Sequence, residues 1–266
     1  MEKYKIKEEE IKKGNEFFGD LYLDNCNVKF QGKNNILFIN GKLTLKDSNI
    51  EFRGDNSIIY ICETDDVITL DVKVYNNSTF YVGENIWINK GIKIVISEET
   101  NVFFGRDCLI SYDTCIRTGD PHLLYDCNTF ERINPSKSVY VGDHVWLGQH
   151  AYILKGAKVG SGTTFGAMSL LSGKKYYSNC YYGGNPAKLI KKDVFFIKDD
   201  CHRFTKKEKE EYQKYYGKEF IYEVDNNTLS FESIEESLNN LSIKEKLKFL
   251  DNITNNQNKN RFCIKE

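Results

Sequence analysis

A histidine placed between two carboxylates is the most chemically suggestive feature of this sequence. His122 lies between Asp120 and Asp126 in the segment TGDPHLLYDCNTFERINPSK. Histidine titrates near neutral pH, so it can remove a proton from a hydroxyl group at cytosolic pH. A nearby carboxylate would fix the imidazole tautomer and stabilise the imidazolium, and Asp120 is favoured over Asp126 and Asp113. The pattern predicts a general base at His122; the alternative is a surface histidine without a role.

The scaffold for this histidine is a repeat of six residues. Apolar side chains recur at this step at Val141, Leu147, Ile153, Val159, Phe165 and Leu171. The next position is glycine in four of five units, at Gly142, Gly148, Gly160 and Gly166. A helix would need a period of 3.6 and a strand a period of 2.0. A period of six is typical of the hexapeptide β-solenoid, in which three short strands complete one triangular coil.

A weaker form of the repeat extends towards the N-terminus. Glycine, a charged residue and then Asn, Asp or His recur in five motifs that begin at Gly32, Gly54, Gly83, Gly105 and Gly142. The gaps between them are 22, 29, 22 and 37 residues, which predicts stacked coils over 21–175, irregular in the first half. The last gap must hold an excursion at about 117–138, and a loop of this length is usually functional. Its residues Leu123, Leu124, Tyr125 and Phe130 predict an ordered loop that docks on another surface.

The repeat divides the chain into three parts. They are an N-terminal segment at 1–20, an all-β solenoid domain at 21–192 and an α-helical extension at 193–266. Capping boxes predict helices that begin after Thr205, Ser233 and Ser242, the first of them ending near Gly217. The charged residues of the extension are expected to form a solvated face, with protein binding as the alternative.

Composition excludes several classes of protein. The net charge of −1 and pI of about 6.5 argue against a nucleic-acid binder. With a mean hydropathy of −0.52 and no long apolar run, no membrane span is expected. The charged N-terminus is not a secretory signal, so a cytoplasmic location is predicted. The eight cysteines form no CxxC pair and are expected to be buried, reduced thiols.

An ordered set of motifs carries a resemblance to a known family. The set comprises Asp120-Pro-His122, Val145-Trp-Leu-Gly148, Ile153-Leu-Lys-Gly156, Phe165-Gly-Ala-x-Ser169 and Gly184-Asn-Pro-Ala-Lys188. The chain resembles the left-handed β-helix O-acetyltransferases of the hexapeptide-repeat superfamily, and especially bacterial enzymes that acetylate surface polysaccharide, including capsular polysialic acid. The resemblance is tight over 100–192 and architectural over 21–99, and it does not cover the helical tail. It implies a left-handed parallel coil and a homotrimer with active sites between subunits.

The resemblance also implies a mechanism. A glycan hydroxyl, activated by His122, attacks the thioester of acetyl-CoA directly, without an acyl-enzyme. The acceptor would be a sialic acid or another sugar of a capsule or lipooligosaccharide. Trp146 is expected on the outer surface, where related enzymes use a tryptophan to line the acceptor or cofactor site; the alternative is an aromatic side chain at a subunit interface.

Coenzyme A needs a narrow slot with cations at its mouth. The small residues Gly148, Gly166 and Ala167 are expected to let the pantetheine arm approach the backbone of the coils. Lys188 and Lys191 are expected to meet its phosphates as point charges, with Lys174 and Lys175 as second candidates.

Three other functions remain open from the sequence. A γ-type carbonic anhydrase would need three histidines around zinc, but His144 and His150 are one full unit apart and are expected on different faces, so no metal site is predicted. An N-acetyltransferase acting on a nucleotide-linked amino sugar usually carries an N-terminal nucleotide-binding domain, for which residues 1–20 leave no room. A solenoid that serves only as a scaffold is disfavoured by the presence of the whole motif set.

Overall fold

The structure, a computed structural model, describes all 266 residues and contains 23 strands and four helices. In chain order the strands are β1 (Glu2–Lys3), β2 (Glu16–Asp24), β3 (Asn27–Phe30), β4 (Ile36–Lys46), β5 (Asn49–Phe52), β6 (Ile58–Cys62), β7 (Val67–Ile68), β8 (Leu70–Val74), β9 (Thr79–Val82), β10 (Trp87–Ile88), β11 (Ile92–Ile96), β12 (Asn101–Phe104), β13 (Leu109–Ile110), β14 (Thr114–Arg117), β15 (Val139–Val141), β16 (Trp146–Leu147), β17 (Tyr152–Ile153), β18 (Lys158–Val159), β19 (Thr164–Phe165), β20 (Leu170–Leu171), β21 (Lys175–Tyr176), β22 (Cys180–Gly183) and β23 (Lys188–Lys192). The helices are α1 (Glu8–Ile11), α2 (Lys206–Glu211), α3 (Phe231–Asn240) and α4 (Ile243–Asn255).

The strands form the three sides of a prism. Sheet A runs in the order β1-β2-β4-β6-β9-β12-β15-β18-β21, with β7 also paired to β4. Sheet B runs β3-β5-β8-β11-β14-β17-β20, and sheet C runs β10-β13-β16-β19-β22-β23. All pairings are parallel except β1 with β2 and β22 with β23, at the two ends. The first strand of the coil begins at Glu16, before the predicted boundary at residue 21.

The coils differ in length along the prism. Paired residues are 22 apart in most N-terminal coils, as in Asn27 with Asn49, 37 apart across the inserted loop, as in Val102 with Val139, and 17 or 18 apart in the C-terminal coils, as in Thr164 with Tyr181 and Trp146 with Thr164. Gly32 and Gly54 lie between sheets B and A, whereas the later glycine motifs lie between sheets A and C. The gap of 29 residues between Gly54 and Gly83 therefore spans one full coil plus one further side of the prism. The N-terminal half is more regular than the glycine spacing suggested.

The six-residue repeat places its residues as expected. The six apolar side chains at the first position are all buried inside the prism. The following glycines are needed because the coils crowd each other: a Cβ atom at Gly148 would lie 2.6 Å from the backbone nitrogen of Ala167. The left-handed conformation falls two residues later, at His144 and His150, with φ of 51° and 57°.

The helical extension covers the outer face of sheet A. Aromatic side chains form a ladder on this face, in which Tyr81 and Phe103 stack with ring centroids 4.4 Å apart. Helices α3 and α4 bury apolar side chains against it, among them Phe231, Ile234, Leu238, Leu250 and Ile253. Burial of this apolar area is the main force that holds the extension on the prism.

Two of the predicted helix boundaries are wrong. Helix α3 begins after Ser230, whose side chain accepts a hydrogen bond from the nitrogen of Ser233, and not after Ser233. The earlier start brings Phe231 into the helix, where it packs on Tyr140 and Phe262. Helix α2 ends at Glu211 instead of near Gly217, because the aromatic residues that follow pack in an irregular segment, as Tyr215 does on Phe195. The predicted caps at Thr205 and Ser242 are confirmed.

A buried ion pair ties the end of the chain to the prism. Arg261, 1% exposed, donates from Nε and from a terminal nitrogen to the two carboxylate oxygens of Asp143, at 2.7 and 3.1 Å. The other terminal nitrogen donates to the carbonyls of Ile253 and Asn256. The guanidinium is therefore paired and hydrogen-bonded on all sides, as a buried charge requires.

The cysteines are all free thiols, but they are not all buried. Cys127 and Cys201 are exposed, because they lie in the inserted loop and in the irregular part of the extension rather than in a coil. None of the four helices is long and apolar enough to cross a membrane.

Candidate functional site

Polar contacts anchor the inserted loop, residues 118–138, to the corner between sheets B and A. Arg132 donates to both carboxylate oxygens of Glu98 at 2.7 and 2.9 Å, and the nitrogen of Ser136 donates to the same carboxylate at 3.0 Å. The Arg132 guanidinium lowers the pKa of Glu98 to about 2. Glu98 belongs to the coil that precedes the loop, so these contacts fix the C-terminal part of the loop to the scaffold.

His122 is exposed on this loop, and its predicted partner Asp120 lies at the loop's base. The Oδ2 atom of Asp120 accepts hydrogen bonds from the Nζ of Lys155 at 2.6 Å and from the Nδ2 of Asn134 at 3.1 Å. These contacts, with Lys155 the larger, hold the pKa of Asp120 below its ordinary value. Asp120 is therefore a charged anchor for the loop.

Neither alternative carboxylate bonds the imidazole of His122. Asp126 accepts hydrogen bonds from the backbone nitrogens of Asn128 and Thr129, and Asp113 faces His150 at 3.7 Å. Which group orients the imidazole in the working enzyme stays a prediction.

A cleft of about 290 Å³ opens on the outer face of sheet B beside the base of the loop. Its walls include Arg117, Asp120, Tyr152, Leu154, Lys155 and Leu170. Tyr152 and Leu170 are paired in neighbouring coils, so their side chains stand side by side on the outward face. The cleft combines an aromatic and apolar floor with cations at one edge, which suits a sugar ring that carries polar substituents.

The predicted cofactor residues gather at a different corner of the prism. Gly148 and Gly166 follow β16 and β19, between sheets C and B, and Ala167 is exposed beside them. Trp146 lies on the outer face of sheet C, 37% exposed, with its ring tilted against Phe196 and its Nε1 donating to the Oγ of Ser111 at 3.4 Å. His122 therefore lies at one corner of the prism, between sheets B and A, and the corner with Gly148 and Gly166, here called the glycine corner, lies on the other side of sheet B.

Lysines border this corner at the C-terminal end of the coil. Lys188 and Lys191 lie on the fully exposed strand β23, paired with Gly183 and Tyr181. Lys174 donates to the carbonyl of Ala187 at 3.2 Å, whereas Lys175 forms an ion pair with Glu232 of α3. The first two remain free to meet an anion.

The histidines do not form a metal site. His144 is buried between the rings of Phe196 and Phe220, its Nδ1 lies 2.5 Å from Asp107 and its Nε2 lies 3.0 Å from the carbonyl of Phe196. Both ring nitrogens are thus occupied, and the contact with Phe196 joins the extension to the prism. No group of three metal-binding side chains occurs in the structure.

The apolar side chains of the loop do not pack on their own chain. Leu123, Leu124 and Tyr125 are each 54% exposed, and Phe130 and Ile133 are 80% and 62% exposed. Polar contacts, and not apolar packing, join the loop to the scaffold. These side chains are available to a partner.

Four residues of the site were not predicted from the sequence: Asn134, which bonds the carbonyl of His122, and the cleft residues Lys155, Arg117 and Tyr152. Arg117 and Tyr152 each follow or precede an inward position by one residue, so the repeat marks them as outward-facing on sheet B. Nothing in the repeat marks Asn134, because it acts from within the irregular loop.

Comparisons with known proteins give similar sequences and folds. The chain is 34% identical over 130 residues to the polysialic acid O-acetyltransferase of Escherichia coli O1:K1, which is 49% of this chain and 42% of that enzyme. It is 29% identical over 171 residues to that of Neisseria meningitidis, covering 64% and 79% of the two chains. The crystal structure of the polysialic-acid-specific acetyltransferase NeuO matches with a TM-score of 0.65 and 32% identity, covering 74% of this chain and 93% of that one.

These matches confirm the predicted fold class. The chain forms an all-β left-handed parallel β-helix with a C-terminal helical extension. The sequence match spans less than half of the Escherichia coli enzyme. No protein-family model matches the chain.

Proposed function

Because this chain belongs to the hexapeptide-repeat O-acetyltransferases, we propose that it transfers an acetyl group from acetyl-CoA to a hydroxyl group of a bacterial surface glycan. The names of the similar proteins support this acceptor class. The observation that carries the proposal is the exposed His122 on an anchored loop, two residues beyond Asp120, which lines the cleft on sheet B. A general base next to a site of that size can act on a bound sugar.

The reaction balances without a covalent enzyme intermediate. The imidazole of His122 accepts the proton of the acceptor hydroxyl while its oxygen attacks the thioester carbonyl carbon. The tetrahedral intermediate collapses, the carbon–sulfur bond breaks, and the departing sulfur of coenzyme A receives the proton from the imidazolium. A backbone N–H group or a side chain must stabilise the oxyanion.

Acetyl-CoA is proposed to lie along the corner between sheets C and B. The exposed, small side chain of Ala167 supports close approach of the pantetheine arm to the backbone, beside Gly148 and Gly166 at the same corner. The exposed Lys188 and Lys191 would meet the phosphates, and the half-exposed indole of Trp146 would line the adjoining wall.

A homotrimer is proposed as the working assembly. The inserted loop with His122 lies at the corner between sheets B and A, and Gly148 and Gly166 lie at the corner between sheets C and B. In an assembly, the loop of one copy can therefore lie next to the glycines of a neighbouring copy. The exposed apolar side chains of the loop, Leu123, Leu124 and Phe130 among them, support a contact between subunits.

The test is a free-thiol release assay. Acetyl-CoA is offered with a panel of surface glycans, including polysialic acid and neutral polysaccharides. We expect thiol release above background only when a suitable glycan is present, with the acetyl ester detected on the glycan. If no glycan supports turnover of acetyl-CoA and a nucleotide-linked amino sugar does, the proposed acceptor class is wrong.

Within this function, Arg117 is proposed to bind a carboxylate of an acidic acceptor. No carboxylate pairs with Arg117, which lies beside Tyr152 in the cleft and beside Cys115 of its own strand. A charge-assisted hydrogen bond contributes about 1.5–3 kcal/mol, so Arg117→Gln is expected to raise KM for a sialic-acid glycan roughly tenfold or more. KM for acetyl-CoA should not change.

The matched control for that variant is Arg203→Gln, which removes an exposed guanidinium from the extension. The control should behave as the unaltered enzyme. A loss of affinity in Arg117→Gln that is equal for acidic and neutral acceptors would show that Arg117 does not read the carboxylate.

A further inference from the structure

We infer that Asn134 is the residue that positions His122, an inference that rests on the function proposed above. Asn134 lies 12 residues beyond His122 and is only 5% exposed, although it belongs to a loop that is otherwise largely open to solvent. A buried amide side chain must satisfy its hydrogen-bonding groups within the protein. The groups that its side chain bonds lie around His122, apart from the Nε of Arg132, which also donates to its Oδ1 at 3.4 Å.

The side chain of Asn134 forms hydrogen bonds with three residues of the loop segment that carries His122. Its Nδ2 donates to the carbonyl of His122 at 2.8 Å and to the Oδ2 of Asp120 at 3.1 Å. Its Oδ1 accepts a hydrogen bond from the backbone nitrogen of Leu124 at 2.9 Å. Asn134 therefore holds the residue itself and the residues two before and two after it.

The scaffold in turn fixes the backbone of Asn134. Its carbonyl accepts hydrogen bonds from the Nζ of Lys155 at 3.1 Å and from Arg132 at 3.3 Å. Lys155 belongs to the coil that follows the loop, and Arg132 is paired with Glu98 of the coil that precedes it. Two coils of the prism thus hold Asn134 in place, and Asn134 in turn holds the backbone of His122.

The imidazole itself forms no hydrogen bond within the chain, so the backbone alone places it. Misplacement of a catalytic group by about 1 Å can cost on the order of 10²-fold in rate. Supporting residues that lock a reactive side chain are what give a site its geometry. Loss of the Asn134 amide should therefore lower the rate of the chemical step and not the binding of either substrate.

The experiment uses the full chain in the thiol-release assay. Asn134→Ala is expected to lower kcat about 10–100-fold, with KM for acetyl-CoA and for the glycan changed less than about threefold. Asn134→Asp keeps the shape but sets a carboxylate against Asp120, and we expect at least as large a loss. Asn128→Ala is the matched control, since Asn128 lies exposed in the same loop and its side chain makes no hydrogen bond.

A double variant separates positioning from general damage. In a His122→Ala background, Asn134→Ala should lower kcat no further, because the group that it positions is gone. A full additional loss in that background, or an unchanged kcat in Asn134→Ala alone, would overturn the inference. If His122→Ala itself keeps full activity, the proposed function fails instead, so the two failures are distinguishable. Thermal unfolding of each variant should stay within a few degrees of the unaltered chain, because the prism does not contain Asn134.

Discussion

Replacing His122 with alanine is expected to lower kcat about 10²–10⁴-fold, the range that a general base contributes. The alanine variant leaves the hydroxyl of the acceptor without a group to take its proton, while the cleft and the glycine corner stay intact. KM for acetyl-CoA should therefore remain close to its original value. The measurement is steady-state thiol release with saturating acetyl-CoA and a glycan that the unaltered enzyme accepts.

A second histidine provides the control for this prediction. His202 is 87% exposed on the extension, where it bonds only Asp200. His202→Ala should keep full activity. Equal rates for His122→Ala and the unaltered enzyme would remove His122 from the reaction, and with it the mechanism proposed for this site.

Replacing Arg261 with methionine is expected to lower the free energy of unfolding by about 3–5 kcal/mol. The change removes the closest cation from the Asp143 carboxylate, which is 2% exposed and keeps only Arg106, through its backbone nitrogen at 2.9 Å and its Nε at 3.8 Å. It also frees the carbonyls of Ile253 and Asn256. A buried charge without a partner is far more costly than an absent one. Urea unfolding, followed by circular dichroism, measures the difference.

An exposed ion pair tests whether burial is the cause. Lys207 and Glu211 pair on α2 with side chains 84% and 56% exposed, and such pairs contribute about 0.3–0.5 kcal/mol. Lys207→Met should therefore be almost silent. If Arg261→Met were equally silent, the pair with Asp143 would not be what fastens the end of the chain.

The sequence predicted best where one short period governs both burial and bends. The apolar step from Val141 to Leu171 identified the inward side chains of the last coils, and the glycine that follows four of these residues marked two crowded corners. Both signals are local, because each unit repeats the same environment. The prism, and the outward position of Trp146, follow directly from that register.

The N-terminal coils were harder to predict because the glycines of successive motifs do not all lie at the same corner of the prism. Gly54 and Gly83 look like successive copies of one motif, but they lie between different pairs of sheets. The residues in left-handed conformation, such as Asn34, Asn56 and Asn77, mark one corner more faithfully than glycine does. Asparagine tolerates that conformation, but its presence in the sequence does not require it.

Contacts between distant segments could not be predicted from any repeat. Asp143 was recognised only as part of a corner motif, yet its partner Arg261 lies 118 residues away. Asn134 reaches His122 through an irregular loop that has no period. Helix α3 starts three residues earlier than its strongest capping motif suggested, since Phe231 gains more from packing on sheet A than the alternative cap offers.

The helices that lie on sheet A also restrict what else can touch this molecule. The chain's own C-terminal region already covers one side of the three-sided column. It buries the aromatic ladder of sheet A, which would otherwise be an exposed apolar surface. Other copies and long polymers have the outer faces of sheets B and C to approach, apart from the part of sheet C at Trp146 that Phe196 contacts, and the corner between these sheets carries Gly148 and Gly166. Any crosslinking reagent that bridges neighbouring copies should accordingly label lysines around sheets B and C, and spare those beneath α3 and α4.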